Sequence, residues 1–104
     1  MKKLVLVTAV ATGLACASVL AATPEEAMNK AGCMACHSKD KKIVGPAFKE
    51  IAAKYKGQDV RAQLFEKARK GGSGSFGPVP MSPNPPEKIN DADLKAAIEY
   101  ILKS

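Results

Sequence analysis

The chain has no tryptophan and is poor in the other aromatic residues, with three phenylalanines, two tyrosines and one histidine among 104 residues. A single imidazole excludes any site that requires two histidines. Few aromatic side chains leave little material for a core, and a chain this short usually needs a metal, a cross-link or another internal support. The composition therefore predicts one small domain, with something besides its own side chains at the centre.

Charge of neither sign is concentrated in one run. The chain has 16 basic and 10 acidic residues, a net charge of +6. The lysines are scattered and are not interleaved with aromatic residues, which disfavours a nucleic-acid partner. We expect either a basic face that steers the protein towards acidic protein partners or a solvated surface without a role.

Residues 1–21 have the order of a secretory signal peptide: two lysines, an apolar run, and small residues around a cleavage point near Ala21 or Ala22. A retained membrane anchor is the alternative, but the run is short for a span and no charged stop-transfer cluster follows it. We therefore expect an exported protein without a membrane anchor, periplasmic in a Gram-negative source. Its mature domain is predicted to be residues 22–104.

Removal of this leader changes the inventory of reactive and charged groups. It takes away Cys16 and two lysines, which leaves two cysteines and 14 basic against 10 acidic residues, a net charge of +4. The remaining chain is long enough for one domain only.

Four segments show the apolar spacing of helices, so the domain is predicted to be all-α. Thr23 and Glu26 form a capping box at the first start, Asp59 caps the third helix, and Asn90 with Asp93 caps the last. No stretch alternates well enough to predict a strand, and there is no internal repeat. The predicted ranges are 24–33, 46–57, 59–72 and 90–104.

A long segment between the third and fourth helices, residues 71–89, contains four glycines and five prolines. Such a segment is not expected to continue a helix or to sit in a sheet. Long irregular loops inside small domains are usually functional or disordered, and the prolines predict a stiff one. Met81 lies near its middle.

The segment AGCMACHSKD, residues 31–40, holds Cys33, Cys36 and His37. A thioredoxin-like redox pair would need a βαβ setting, zinc needs four ligands, and a disulfide across two residues closes too small a ring to stabilise much. The fourth interpretation, the C-x-x-C-H attachment signature of c-type haem, uses every element. Two thiols at this spacing can bond to the two vinyl groups of a porphyrin and hold the histidine beneath the iron. An export signal favours this interpretation, because such attachment happens outside the cytoplasm.

Met81 is the predicted second axial ligand of the iron. Met34 lies inside the motif and cannot reach the opposite face, whereas Met28 lies on the apolar face of the first helix and is expected in the core. A loop methionine is ordinarily a gap-filler or a surface residue, but the proline-rich loop has no other evident reason to be so constrained. The alternative is a five-coordinate haem enzyme or gas-binding protein, in which Met81 does not bind iron.

Four blocks follow one another in the chain: GCMACH, VGPAFKEIAAKYKG, KGGSGSFGPVPMSPN and DLKAAIEYIL. In this order and spacing they resemble the small monohaem class I cytochromes c of bacterial respiratory and denitrification chains, the c-551/c-552 type. The resemblance covers essentially all of residues 23–104. It implies an all-α class I cytochrome c fold, with about four helices wrapped around one covalently bound haem c and the first and last helices packed together.

The resemblance also implies roles for individual residues. Cys33 and Cys36 would make the thioethers, and His37 and Met81 would ligate the iron. The carbonyl of Pro46 would accept a hydrogen bond from the other ring nitrogen of His37.

Asn84 would point its amide at the sulfur of Met81.

Two positions depart from the resemblance: Phe76 stands where many relatives have tryptophan, and Ser82 replaces a proline. A phenylalanine cannot donate a hydrogen bond to a haem propionate, so Arg69 or backbone amides are expected to do so instead.

These observations predict a one-electron carrier and not an enzyme. Its expected partners are redox proteins, with a quinol-oxidising complex or another cytochrome as donor and a terminal reductase or oxidase as acceptor. We expect a monomer that docks through a partly exposed haem edge near residues 76–83.

Overall fold

The computed structural model describes residues 5, 8–13 and 22–104. The predicted signal peptide therefore lies mostly outside the described residues. The described chain forms four α-helices, a short 3-10 turn at Cys33–Ala35 and a two-stranded antiparallel hairpin. In chain order the helices and strands are α1 (Pro24–Ala31), α2 (Phe48–Lys54), α3 (Arg61–Lys70), β1 (Gly72–Gly74), β2 (Gly77–Met81) and α4 (Asp91–Leu102).

Helix α1 begins at the predicted capping box. The Thr23 hydroxyl accepts a hydrogen bond from the Glu26 amide, and the Glu26 carboxylate accepts one from the Thr23 amide, both at 3.2 Å. The helix ends two residues before its predicted end, because Gly32 adopts a left-handed conformation with φ of 87°. This turn redirects the chain into the C-x-x-C-H motif.

Helices α2 and α3 are both shorter than predicted. Pro46 precedes α2 by two residues, and the Glu50 carboxylate accepts the Ala47 amide at 3.3 Å to close its first turn. The Asp59 carboxylate accepts the Arg61 amide at 3.4 Å, although Val60 occupies the cap position of α3. Helix α3 ends where Gly71 takes a positive φ.

Helix α4 confirms the predicted start, since the Asn90 side chain accepts the Asp93 amide at 2.8 Å. The helix contacts α1, α2 and α3. The pairing of α1 with α4 confirms the expectation that the first and last helices pack together. The buried apolar residues form one cluster under these four helices, which consists of Ala27, Met28, Ala31, Phe48, Ile51, Tyr55, Val60, Ile89, Leu94, Ala97 and Ile98.

The prediction that the chain has no strand was wrong. Strands β1 and β2 pair antiparallel inside the glycine- and proline-rich segment, with Gly72 opposite Met81 and Gly74 opposite Gly77. Apart from Met81, which is half-buried, the hairpin residues are exposed, so no alternation of apolar residues marks it. Prolines are tolerated here because a two-stranded hairpin consists of edge strands only.

None of the helices in the described part of the chain is long and apolar enough to cross a bilayer.

Met28→Ala tests the α1–α4 core. Met28 is 1% exposed, and removing its side chain leaves a cavity, so we expect a loss of about 2–5 kcal/mol in the free energy of unfolding. Denaturant unfolding of the haem-loaded protein measures this loss. Asn29→Ala, at the exposed neighbouring position, should change the free energy by less than about 0.5 kcal/mol, and equal effects of the two variants would contradict this account of the core.

Candidate functional site

Both cysteines of the motif lie on one tight turn directly after α1. The amide of Cys36 and that of His37 donate to the same carbonyl, that of Cys33, at 3.2 and 3.0 Å. No disulfide joins the two residues; Cys33 is half-buried and Cys36 is exposed. Before haem is attached, burial raises the pKa of the Cys33 thiol.

The imidazole of His37 is held on two sides. Its Nδ1 lies 2.8 Å from the carbonyl oxygen of Pro46, and its ring stacks on Phe48 with centroids 5.7 Å apart and an interplanar angle of 25°. Because Nδ1 donates its proton to this carbonyl, the neutral ring presents Nε2 as its basic nitrogen. This is the tautomer that a metal-binding histidine requires.

Glycine is required beside this ring. A Cβ on Gly45 would stand 2.7 Å from His37 Cε1 and 3.0 Å from Nδ1. The Gly45 amide also donates to the carbonyl of Cys36 at 2.7 Å. Sequence reasoning singled out neither Gly45 nor Phe48 as part of the site, because only the tertiary structure brings the two against the imidazole.

Met81 ends strand β2 and is half-buried. Its backbone runs directly against the end of α3, where a Cβ on Gly71 would overlap the Met81 carbonyl oxygen and approach Pro83 N to 2.9 Å. Gly71 has φ of 69° and ψ of −152°, a conformation almost restricted to glycine. The hairpin therefore delivers Met81 to a fixed position at the end of this helix.

The structure uses the amide of Asn84 differently from the expectation. The side chain is buried, and its Nδ2 donates to the carbonyls of Ala68 and Ser82, each at 3.1 Å. The Asn84 backbone amide donates to the same Ala68 carbonyl at 3.0 Å. Two carbonyls take up the two amide hydrogens, so in this structure Asn84 fixes the loop to α3 and does not donate to the sulfur of Met81.

Arg69 also differs from its expected role as a propionate anchor. Its guanidinium donates to the carbonyls of Asn84 and Ile89 and to the Asp91 carboxylate. These acceptors direct the guanidinium into the protein, between α3 and the start of α4.

Phe76, at the tip of the hairpin, packs on α2. The ammonium group of Lys54 lies 4.4 Å from the centroid of the Phe76 ring and donates to the Ser75 carbonyl. The Phe76 ring also meets Tyr55 edge-on, with centroids 6.3 Å apart. Sequence reasoning missed Lys54, because nothing in a helical pattern distinguishes a lysine that binds a neighbouring loop from one that is solvated.

The segments that carry His37 and Met81 expose large apolar side chains. Within residues 22–104, the exposed large hydrophobic residues are Ile43 at 49%, Val44 at 53%, Phe76 at 36% and Val79 at 58%. A domain with so little core would ordinarily bury such residues. A flat apolar group such as a porphyrin would take such side chains out of water.

A thiol pair, an imidazole with one anchored nitrogen, a thioether and an apolar surface define the class of small c-type haem proteins with an all-α fold. The sequence model of the family described as Cytochrome c matches residues 22–104. The chain belongs to the cytochrome c family.

Individual relatives agree with this assignment. Cytochrome c2 of Rubrivivax gelatinosus is 52% identical over 84 residues, which cover 80% of this chain and 99% of that protein. Cytochrome c-552 of Hydrogenobacter thermophilus is 45% identical over 103 residues, covering 98% of this chain and 97% of that protein. The crystal structure of wild-type Nitrosomonas europaea cytochrome c552 superposes with a TM-score of 0.68 at 42% identity, covering 76% of this chain and 96% of that one.

Several expectations are thereby confirmed. The resemblance to the c-551/c-552 type and the class I cytochrome c fold both hold. The protein carries one covalently bound haem c per chain and is a small electron-carrier haem protein.

Gly71→Ala and Gly74→Ala form a matched pair of tests. Both glycines have positive φ, so alanine at either position should cost about 1–3 kcal/mol of stability through backbone strain. Only at Gly71 would the new Cβ also overlap the Met81 backbone, whereas Gly74 has open space, so Gly71→Ala should cost about 1–3 kcal/mol more. Denaturant unfolding of the haem-loaded variants measures the difference, and equal losses would contradict the proposed close approach.

Proposed function

We propose that this protein is a periplasmic one-electron carrier whose haem c is attached through Cys33 and Cys36 and ligated by His37 and Met81. When bound, haem c supplies an iron that accepts and releases a single electron. The observation that carries the proposal is the hydrogen bond from His37 Nδ1 to the Pro46 carbonyl, which leaves Nε2 for the metal.

The two thiols support attachment on the same side as His37. They sit three residues apart on one turn, and His37 follows Cys36 directly, with its amide tied to the Cys33 carbonyl at 3.0 Å. A covalent bond at each thiol would prevent the haem group from leaving. It would also fix the turn that carries the His37 imidazole against the haem group. Pro46 then acts as a positioning residue, because its carbonyl sets the orientation of the ring.

Met81 is proposed to occupy the second axial position of the haem iron, which would then be closed to small molecules. A thioether is a soft ligand that favours ferrous iron and raises the reduction potential. The hairpin and the contact with Gly71 hold Met81 in one place, so the same ligand can serve both oxidation states with little rearrangement. A carrier needs this property, whereas an enzyme acting on a small molecule needs an open position.

Residues 1–21 are proposed to be a signal peptide, which is cleaved near Ala21 or Ala22 during maturation. The family match begins at residue 22, and the first capping residue of the domain is Thr23. Export to the periplasm agrees with covalent haem attachment, which takes place outside the cytoplasm. Residues 22–104 are then the cytochrome c domain.

The proposed partners are redox proteins of a respiratory or denitrification chain. A quinol-oxidising complex or another cytochrome would be the donor, and a terminal reductase or oxidase the acceptor. The carrier would meet them as a monomer, without nucleic acid and without a substrate of its own. The segment after His37 exposes Lys39, Lys41 and Lys42, which favours acidic partners.

The visible spectrum of the purified haem protein, oxidised and reduced, tests the ligation. We expect a weak long-wavelength sulfur-to-iron band in the ferric form and a sharp α band on reduction, because a thioether and an imidazole together give six-coordinate iron. Met81→Ala should abolish the sulfur band, while Met28→Leu, a volume-conserving change in the core, should retain it.

A ferric form without the sulfur band, and ready binding of carbon monoxide by the reduced protein, would contradict the proposal. That outcome would instead establish an open distal position and favour a five-coordinate haem enzyme or gas-binding protein.

Electron transfer to a strongly acidic redox protein should slow as ionic strength rises. Residues 22–104 carry a net charge of +4, from 14 basic and 10 acidic residues, and salt screens the attraction that steers the encounter. Stopped-flow rates over a range of salt concentrations measure this, with an uncharged small-molecule reductant as the control. Rates that do not depend on salt would overturn electrostatic steering.

A further inference from the structure

Arg69 is an almost buried cation that faces the interior of the protein. Its side chain is 13% exposed, and its guanidinium lies 5.0 Å from the centroid of the Phe65 ring one turn earlier in α3. A charge this far from water is costly unless its donors are satisfied. Three acceptors take up three of its five N–H groups, and they lie between Asn84 and Asp91, the first residue of α4.

These three acceptors span the whole segment. One nitrogen, Nη1, donates to the Asn84 carbonyl at 3.0 Å and to the Ile89 carbonyl at 2.7 Å, and Nη2 donates to the Asp91 carboxylate at 2.5 Å. One planar group therefore joins α3 to both ends of residues 84–91. Charged hydrogen bonds of this kind are stronger and more directional than neutral ones.

The attachment lies close to Met81. Asn84, three residues beyond it, is held from two directions, by the Arg69 guanidinium on its carbonyl and by the Ala68 carbonyl on its amides. On the other side of Met81, the hairpin pairs it with Gly72. Loosening Arg69 would weaken the restraint on Asn84 and would leave the bonds to Ala68 and the hairpin in place.

We propose that Arg69 is a positioning residue for Met81, and that its guanidinium sets how readily an external ligand displaces the methionine sulfur from iron. The inference rests on the proposed function. Arg69 acts through the segment 84–91 and not by contact with the haem group. Its effect is a conformational equilibrium: an external ligand binds only when Met81 has moved away, so a larger open fraction raises the apparent affinity in proportion.

Arg61 offers a matched control on the same helix. It is also an arginine paired with carboxylates, Asp59 and Glu99, but its side chain is 61% exposed and none of these groups belongs to the Met81 segment. Arg69→Gln and Arg61→Gln therefore remove the same charge from α3. Only the first removes hydrogen bonds from the loop.

Imidazole titration of the ferric haem-loaded protein measures the open fraction. Binding is followed by loss of the sulfur-to-iron band. We expect Arg69→Gln to raise the apparent affinity for imidazole by about tenfold or more, the factor expected when a charged hydrogen bond holds the closed loop. Arg61→Gln should change it by less than about twofold.

Two further variants separate the positioning role from general stability. Met28→Ala lowers global stability but removes none of the hydrogen bonds that hold residues 84–91, so it should leave the imidazole affinity unchanged. Arg69→Lys retains the charge but not the planar fork. Its apparent imidazole affinity should therefore lie between that of the unsubstituted protein and that of Arg69→Gln. It also provides the decisive measurement if Arg69→Gln does not accumulate as a haem protein.

The outcomes are distinct. A sulfur band in the unsubstituted protein, together with an imidazole affinity in Arg69→Gln or Arg69→Lys no higher than in Arg61→Gln, would overturn the inference alone. An equal rise in Met28→Ala would also overturn it, since global loosening would then explain the effect. Absence of the sulfur band in the unsubstituted protein would overturn the proposed function and the inference with it.

Discussion

Packing of α4 across the other three helices is the interaction on which the rest of the structure depends. Its apolar face, which includes Leu94, Ala97 and Ile98, belongs to one buried cluster with residues of α1 and α2. Each helix that α4 contacts positions one part of the site. Helix α1 leads into the cysteine turn, α2 supplies the ring beneath His37, and α3 ends against the Met81 backbone. Hydrophobic burial along α4 thus fixes groups that come from distant parts of the chain.

The haem group completes a core that the chain cannot fill alone. Among the described residues, Phe48 and Met28 are the largest side chains in complete burial, and large apolar residues such as Ile43 and Val79 remain exposed in the segments that carry the proposed ligands. A covalent apolar group resolves this shortage in the same way that disulfides or metals do in other small domains. Stability and electron transfer therefore depend on the same contacts. The groups that hold the proposed ligands in place are mostly backbone carbonyls and glycines.

Local signals predicted the helical part of the fold well. Capping at Thr23 and Asn90 depends on hydrogen bonds within three residues, so both starts could be read directly from the chain. Helix ends were less accurate, because they depend on the conformation of single residues such as Gly32. The hairpin was missed altogether, since exposed strands made of glycine and proline have no apolar pattern.

The sequence alone determined the class of protein, because the C-x-x-C-H motif, the single histidine and the methionine in a stiff loop can each be recognised without knowing how the chain folds. Only the tertiary structure decided how those groups are oriented. Asn84 was expected to face the Met81 sulfur, and Arg69 or backbone amides a haem propionate, whereas in this structure both side chains donate to backbone carbonyls between α3 and α4. Acceptors up to 22 residues away along the chain compete for their hydrogens, and which acceptor comes within reach is a consequence of helix packing that no local pattern records.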